Sequence, residues 1–235
     1  MLNRRNSFKG VLAASSWLLA SKVQAQQTCA VQTRQTQAQI KPDEALALLK
    51  QGNERFVSGQ SIHCDLRQQV HATSGGQAPF AAIVGCIDSR SSPELLFDQR
   101  IGDIFAARIA GNFVNDDIIG SLEFATEIAG ARAIVVLGHS DCGAIKGAVD
   151  NVKAGLLTGV IAQIRPSLEK LNYKGVPNSS NTELVGRLTE QNVRDAVARL
   201  TARSEVLKRR VAERQLVISG GLHDVSTGRI QWLSA

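Results

Sequence analysis

No apolar run in this sequence approaches the roughly 20 residues that a membrane-spanning helix needs, so a permanent membrane anchor is not expected. The nearest approach, Gly10–Ala20, is about half that length and is diluted by Ser15 and Ser16. Cysteine is also scarce: four in 235 residues exclude a disulfide-stapled miniprotein. Five prolines are spread thinly, and between residues 41 and 235 no stretch rich in Pro, Gly or Ser is long enough to be a linker. One compact domain is expected there. A composition of 43% hydrophobic and 20% charged residues can bury a core, which excludes a disordered or fibrous chain.

A surplus of positive charge is missing from most of the chain, although the total is +6 and the pI about 9.4. Residues 1–25 hold Arg4, Arg5, Lys9 and Lys22 and no acid; removing those four from 27 basic residues leaves 23 against 21 acidic ones. A nucleic-acid binder keeps its basic face in the folded domain, so nucleic acid is not an expected partner.

The first segment has a basic start (Arg4-Arg5-Asn6-Ser7-Phe8-Lys9), a short apolar centre and a polar end closing on Val23-Gln24-Ala25, where a signal peptidase would cut. The Arg pair followed by Phe8 and Lys9 resembles a twin-arginine signal. Residues 1–25 are therefore expected to be a signal peptide, and the mature protein to be periplasmic or otherwise exported. Residues 26–40, rich in Gln and Thr, are expected to be a flexible lead-in, and 41–235 a single folded domain.

Pro42, Asp43 and Glu44 open an amphipathic helix over residues 42–57, with an interruption expected at Gly52. Short apolar runs at Phe80–Val84, Ile104–Ile109, Ala133–Leu137 and Leu216–Ser219 then alternate with helical patterns. Ile118, Ile119, Leu122, Ala125 and Ala129 share one helical face, and Leu184 through Val211 mark one or two more helices. A terminal hairpin is expected from Leu222–Val225 and Arg229–Leu233. The expected class is α/β: a mostly parallel central sheet with an antiparallel edge strand, flanking helices and an N-terminal helical arm.

Two apolar runs end alike, in Gly85-Cys86-Ile87-Asp88-Ser89-Arg90 and in Gly138-His139-Ser140-Asp141-Cys142-Gly143. Ligands of open α/β sheets bind beyond the carboxyl ends of the strands, so the two loops can meet. Two thiolates and an imidazole suit Zn²⁺, and three protein ligands leave a fourth position open, as catalytic zinc sites do. Asp88 and Arg90 follow at alternate positions, so an ionised, oriented carboxylate would lie beside Cys86, positioned to accept a hydrogen bond or to take the fourth ligand position in a closed state.

The series C-x-D-x-R and H-x-x-C in these two loops resembles the β-class carbonic anhydrases. The likeness extends to Leu49-Lys50-Gln51-Gly52-Asn53-Glu54-Arg55-Phe56, to Arg108-Ile109-Ala110-Gly111-Asn112 and to Gly220-Gly221-Leu222-His223-Asp224. The resemblance implies one Zn²⁺ per chain on Cys86, His139 and Cys142, an Asp88–Arg90 dyad, and reversible hydration of CO₂ to bicarbonate and a proton. It also implies a homodimer or higher even oligomer, with the helical arm wrapping a neighbour and the site near the subunit interface. Gln77, Phe105, Ala110, Gly111 and Phe124 fall at substrate-pocket positions, with Phe124 where the plant-type branch has Tyr. Two other readings fit the same residues: a scaffold of this kind hydrolysing carbon disulfide, and a non-catalytic zinc-binding assembly protein. His63, His71 and His223 have no partner spacing and are expected only in surface or interface contacts. Export would bring Cys29 and Cys64 into an oxidising compartment, where a disulfide between them, within or across chains, is chemically allowed.

Overall fold

A computed structural model describes residues 29–234; the signal-like segment, residues 1–25, lies outside the described residues. The elements in order are α1 (Arg34–Gln39), α2 (Pro42–Val57), α3 (Leu66–Thr73), β1 (Ala81–Gly85), α4 (Pro93–Leu96), β2 (Ile104–Arg108) and α5 (Asp116–Glu123). A π-helical turn, Phe124–Ile128, extends α5. Then come β3 (Ala133–His139), α6 (Gly143–Val149), α7 (Leu157–Lys170), α8 (Thr182–Arg203), α9 (Glu205–Ala212), β4 (Val217–His223) and β5 (Ile230–Trp232). The sheet order is β2-β1-β3-β4-β5, with β5 antiparallel to β4 and every other pair parallel, as expected from the sequence.

β1 and β3 are buried along their whole length because both faces of the sheet are covered. The period of two sorts their side chains: Ala81, Ile83, Ala133, Val135 and Leu137 join Leu49, Phe80 and Phe97 on one face. Ala82, Val84, Ile134 and Val136 join Ile119, Leu122, Val193 and Leu200 on the other. A third cluster, Ile145, Ile161, Ile164 and Leu188, packs α6, α7 and α8 together below Cys86 and Cys142.

Three expectations change. The lead-in is not flexible throughout: Thr33 and Thr36 form a capping box at the start of α1, and buried Gln37 donates to the carbonyls of Pro79 (2.6 Å) and Ala129 (2.8 Å). Cys29 and Cys64 form a disulfide within the chain. A segment rich in Gln and Thr is thus ordered by polar and covalent ties, and by Ile40 in the core, which composition does not reveal.

Helix α2 runs through Gly52 without interruption. A Cβ there would lie 1.8 Å from Phe97 O, so glycine serves close packing on α4 rather than a break. The buried face of α2, Ala45, Leu49, Gly52 and Asn53, meets its own chain's sheet. Asn53 Nδ2 donates to Leu96 O and Gly228 O, and Ile230 N–H donates to Asn53 Oδ1.

Finally, β4 continues from Val217 to His223, one strand where two were expected. At Gly220 and Gly221, inside that strand, the missing side chains make room for Val193 of α8 and Ile230 of β5.

Candidate metal centre

β1 and β3 are adjacent and in register, Gly85 opposite Leu137, so Cys86 just after β1 and His139 at the end of β3 emerge at the same edge of the sheet. A turn through Asp141, whose φ of 58° an aspartate tolerates, brings Cys142 to the start of α6. Lys146 pairs with the Asp141 carboxylate and steadies that turn. One ligand atom from each of Cys86, His139 and Cys142 lies within 4.8 Å of the others, and all three residues are buried. The two sulfurs are 3.9 Å apart.

Hydrogen bonds fix how each ligand faces. His139 Nδ1 lies 2.8 Å from Ser140 O, the contact of a ring that donates from Nδ1 and keeps a lone pair on Nε2. That Nε2 is buried with no hydrogen-bond partner among the described residues. Gly111 N–H donates to Cys86 Sγ at 3.3 Å, and Asn192 Nδ2 holds the Gly111 carbonyl at 2.8 Å.

The protonation chemistry favours a cation at this point. A hydrogen bond from the Cys142 thiol, helped by His139 and the Gly111 N–H against burial, pulls Cys86 down to about 4. Cys142 is pushed up, because it faces that thiolate and is itself buried. Burial opposes a charge on His139, but Cys86 and Asp88 together raise its proton affinity. An orphaned imidazole nitrogen beside two thiol groups, tuned toward positive charge, fits Zn²⁺ with its tetrahedral preference for sulfur and nitrogen.

Asp88 and Arg90 form the dyad read from the sequence. Arg90 Nε donates to Asp88 Oδ1 at 3.0 Å and Nη2 to Oδ2 at 2.8 Å, a bidentate grip that holds the carboxyl well below the usual carboxylate range. Asp88 Oδ2 lies 4.0 Å from His139 Nε2. The turn that carries the dyad is tied to β2 by Arg108, whose Nε reaches Cys86 O (2.9 Å) and whose Nη2 reaches Asp88 O (2.6 Å).

The pocket residues divide. Gly111 touches the cluster and Ala110 adjoins it in the chain. Phe105 and Phe124 meet edge-on, their centroids 6.2 Å apart, but line a cleft of about 780 Å³ along β2 that none of the three ligand residues lines. Gln77 is exposed in the segment before β1, and no hydrogen bond among the described residues joins it to the cluster.

Sequence reasoning missed Arg108, Asn192, Ser91 and His223. His223 is 2% exposed rather than at the surface. It is the register partner of His139, and burial first, then the nearby imidazole, lowers its pKa to about 4. The one available signal was its place in the Gly220–Asp224 run.

Comparisons with known proteins agree with the geometry. A family model described as carbonic anhydrase matches residues 81–230. Carbonic anhydrase 2 of Mycobacterium tuberculosis is 36% identical over 196 residues, covering 80% of this chain and 91% of the relative. A carbonic anhydrase of Mycolicibacterium smegmatis is 33% identical over 196 residues, covering 81% and 92%. Among solved structures, the Coccomyxa β-carbonic anhydrase in complex with acetazolamide superposes with a TM-score of 0.64 at 29% identity, covering 71% of this chain and 77% of that one. The β-carbonic anhydrase CafA of Aspergillus fumigatus gives 0.63 at 27%, covering 82% and 90%.

Proposed function

Because this chain belongs to the carbonic anhydrase family, in its β class, we propose that it interconverts CO₂ and bicarbonate, releasing a proton in the hydration direction. Cys86, His139 and Cys142 would hold one zinc ion per chain. The observation that carries the reading is the convergence of three soft ligand atoms within 4.8 Å, one of them the unpartnered His139 Nε2, next to an ionised Asp88. When bound, zinc supplies a Lewis acid that eases the ionisation of water.

The remaining work falls to the chain. Asp88 is held ionised so firmly that at neutral pH it accepts a hydrogen bond instead of storing the released proton, which orients an attacking oxygen toward CO₂. Arg90 keeps that carboxylate in one orientation. The Gly111 N–H holds Cys86 Sγ in place, and the Ile145, Ile161 and Ile164 cluster beneath keeps water away from the sulfurs. Gln77, Phe105 and Phe124 would complete the substrate pocket by contribution to a neighbouring subunit's site, since they stand apart from the cluster of their own chain.

Stopped-flow hydration of CO₂ by the purified, zinc-analysed protein tests this. About one zinc per chain, with turnover far above the uncatalysed rate, is the expected result; a zinc-loaded protein that leaves CO₂ unhydrated overturns it.

We propose further that the mature protein is exported through its twin-arginine-like segment. The Cys29–Cys64 disulfide supports an oxidising destination, and zinc-loaded thiols folded before export would be protected there. With Arg4→Lys and Arg5→Lys together, the precursor should stay in the cytoplasmic fraction; undiminished exported activity would point to the general secretory route.

A further inference from the structure

One buried polar pair has no part in that chemistry. Ser91 is 3% exposed and His223 2%, and Ser91 Oγ lies 3.1 Å from His223 Nδ1. Ser91 closes the turn that leaves β1, His223 ends β4, and β3 lies between those strands in the sheet. The bond therefore spans the carboxyl end of β3, where His139 stands in register with His223. The end of β4 holds the second ligand loop as well. Ser140 N–H donates to His223 O at 2.8 Å, and Val225 N–H donates to Ser140 Oγ at 3.0 Å.

What else holds the dyad turn decides how much this bond matters. Ser91 N–H donates to Asp88 O and Arg90 N–H to Asp88 Oδ1, but both bonds lie inside the turn and move with it. Arg108 fastens the first half of the turn to β2 through Cys86 O and Asp88 O. Ser91–His223 fastens the far end to β4. Without it, the segment from Asp88 to Ser91 can flex between the Arg108 contacts and buried Pro93, where α4 begins, carrying the paired carboxylate and guanidinium together. The Arg90–Asp141 contact, 3.4 Å long between side chains that are both about half exposed, is a weak second restraint.

We propose that Ser91 and His223 are a positioning pair, fixing the Asp88–Arg90 turn over His139 so that Asp88 Oδ2 stays 4.0 Å from His139 Nε2. The inference rests on the functional reading above and adds to it residues that act through Asp88, not on substrate. A displacement of about 1 Å at such a group is enough to cost catalysis.

The test separates positioning from mere support. In the zinc-loaded protein, Ser91→Ala and His223→Leu should each lower kcat per bound zinc about tenfold, leave KM within about twofold, and speed deuterium exchange of residues 86–92 about tenfold with exchange elsewhere unchanged. An asparagine amide reaches the place of the histidine Nδ1 and a glutamine amide that of Nε2. His223→Asn should therefore return turnover and exchange to within about twofold of the parent, and His223→Gln should not. The double variant Ser91→Ala/His223→Leu should be no worse than either alone.

Parental exchange and turnover in Ser91→Ala would overturn the proposal, as would a His223→Asn variant as impaired as His223→Leu. Faster exchange with parental turnover would overturn it too, leaving the pair as a stabilising contact only. A zinc-loaded parent that does not hydrate CO₂ would instead overturn the functional reading, while the exchange measurement would still decide whether the pair holds the turn.

Discussion

At the scale of single residues, the centre separates binding the metal from using it. Cys142 is a buried member of the cluster, its sulfur 3.9 Å from Cys86 Sγ, so Cys142→Ala removes one of the three soft donors proposed for the metal. Its zinc content should fall at least about tenfold by metal analysis at matched free zinc. Asp88→Asn is the opposite case. The amide presents a donor where an acceptor is needed and breaks the bidentate pairing with Arg90, but no metal donor is lost. Zinc should remain near one per chain, while kcat/KM for CO₂ drops about 100-fold or more in stopped-flow assays.

At the scale of elements, packing overrules local preference in α2. Helix propensity alone says that Gly52→Ala should stabilise a helix interior by about 1 kcal/mol. Against this, the added Cβ would stand 1.8 Å from a backbone carbonyl that cannot move without shifting α4, and overpacking of this kind costs about 1–3 kcal/mol or more. Net destabilisation of about 2 kcal/mol, read as a lower denaturation midpoint, is expected. The strap of residues 29–39 is held by the Cys29–Cys64 disulfide, by Gln37 and by Arg100 on Ala30 O. Closing a 35-residue separation stabilises by about 3–4 kcal/mol in the chain-entropy account. Cys29→Ser/Cys64→Ser should lower Tm and open the strap to limited proteolysis, with zinc content unchanged because Cys86 and Cys142 remain.

At the scale of the whole molecule, the free edge of β2 and several exposed apolar side chains, Ile87, Leu95, Phe124 and Ile128, bear on assembly. The mature protein should be at least dimeric by light scattering, with activity falling on dilution below the dissociation constant. A stable monomer of full activity would contradict this. The interface is not expected on the inner face of α2, which its own sheet already covers.

The Cys86, His139 and Cys142 strings that converge, the dyad and the α/β sheet were legible in the sequence for a local reason: each rests on a short string, such as Cys86-Ile87-Asp88-Ser89-Arg90 or a five-residue apolar run, whose chemistry does not depend on distant neighbours. The sequence also carried the charge contrast between the first 25 residues and the rest. Tertiary structure alone decided what depends on contact between distant segments. Gly52 reads as a helix break until Phe97 O is seen beside it, and what Gly220 makes room for is seen only when Val193 lies against it. Gln37 is a polar residue in a polar stretch until two carbonyls, 42 and 92 positions away, accept from it. His223 lacked any partner spacing because its partners come from other strands: His139 by sheet register and Ser91 by a turn that crosses β3. Short-range chemistry is written in neighbouring letters, whereas burial and long-range hydrogen bonds exist only once the sheet has set which segments lie side by side.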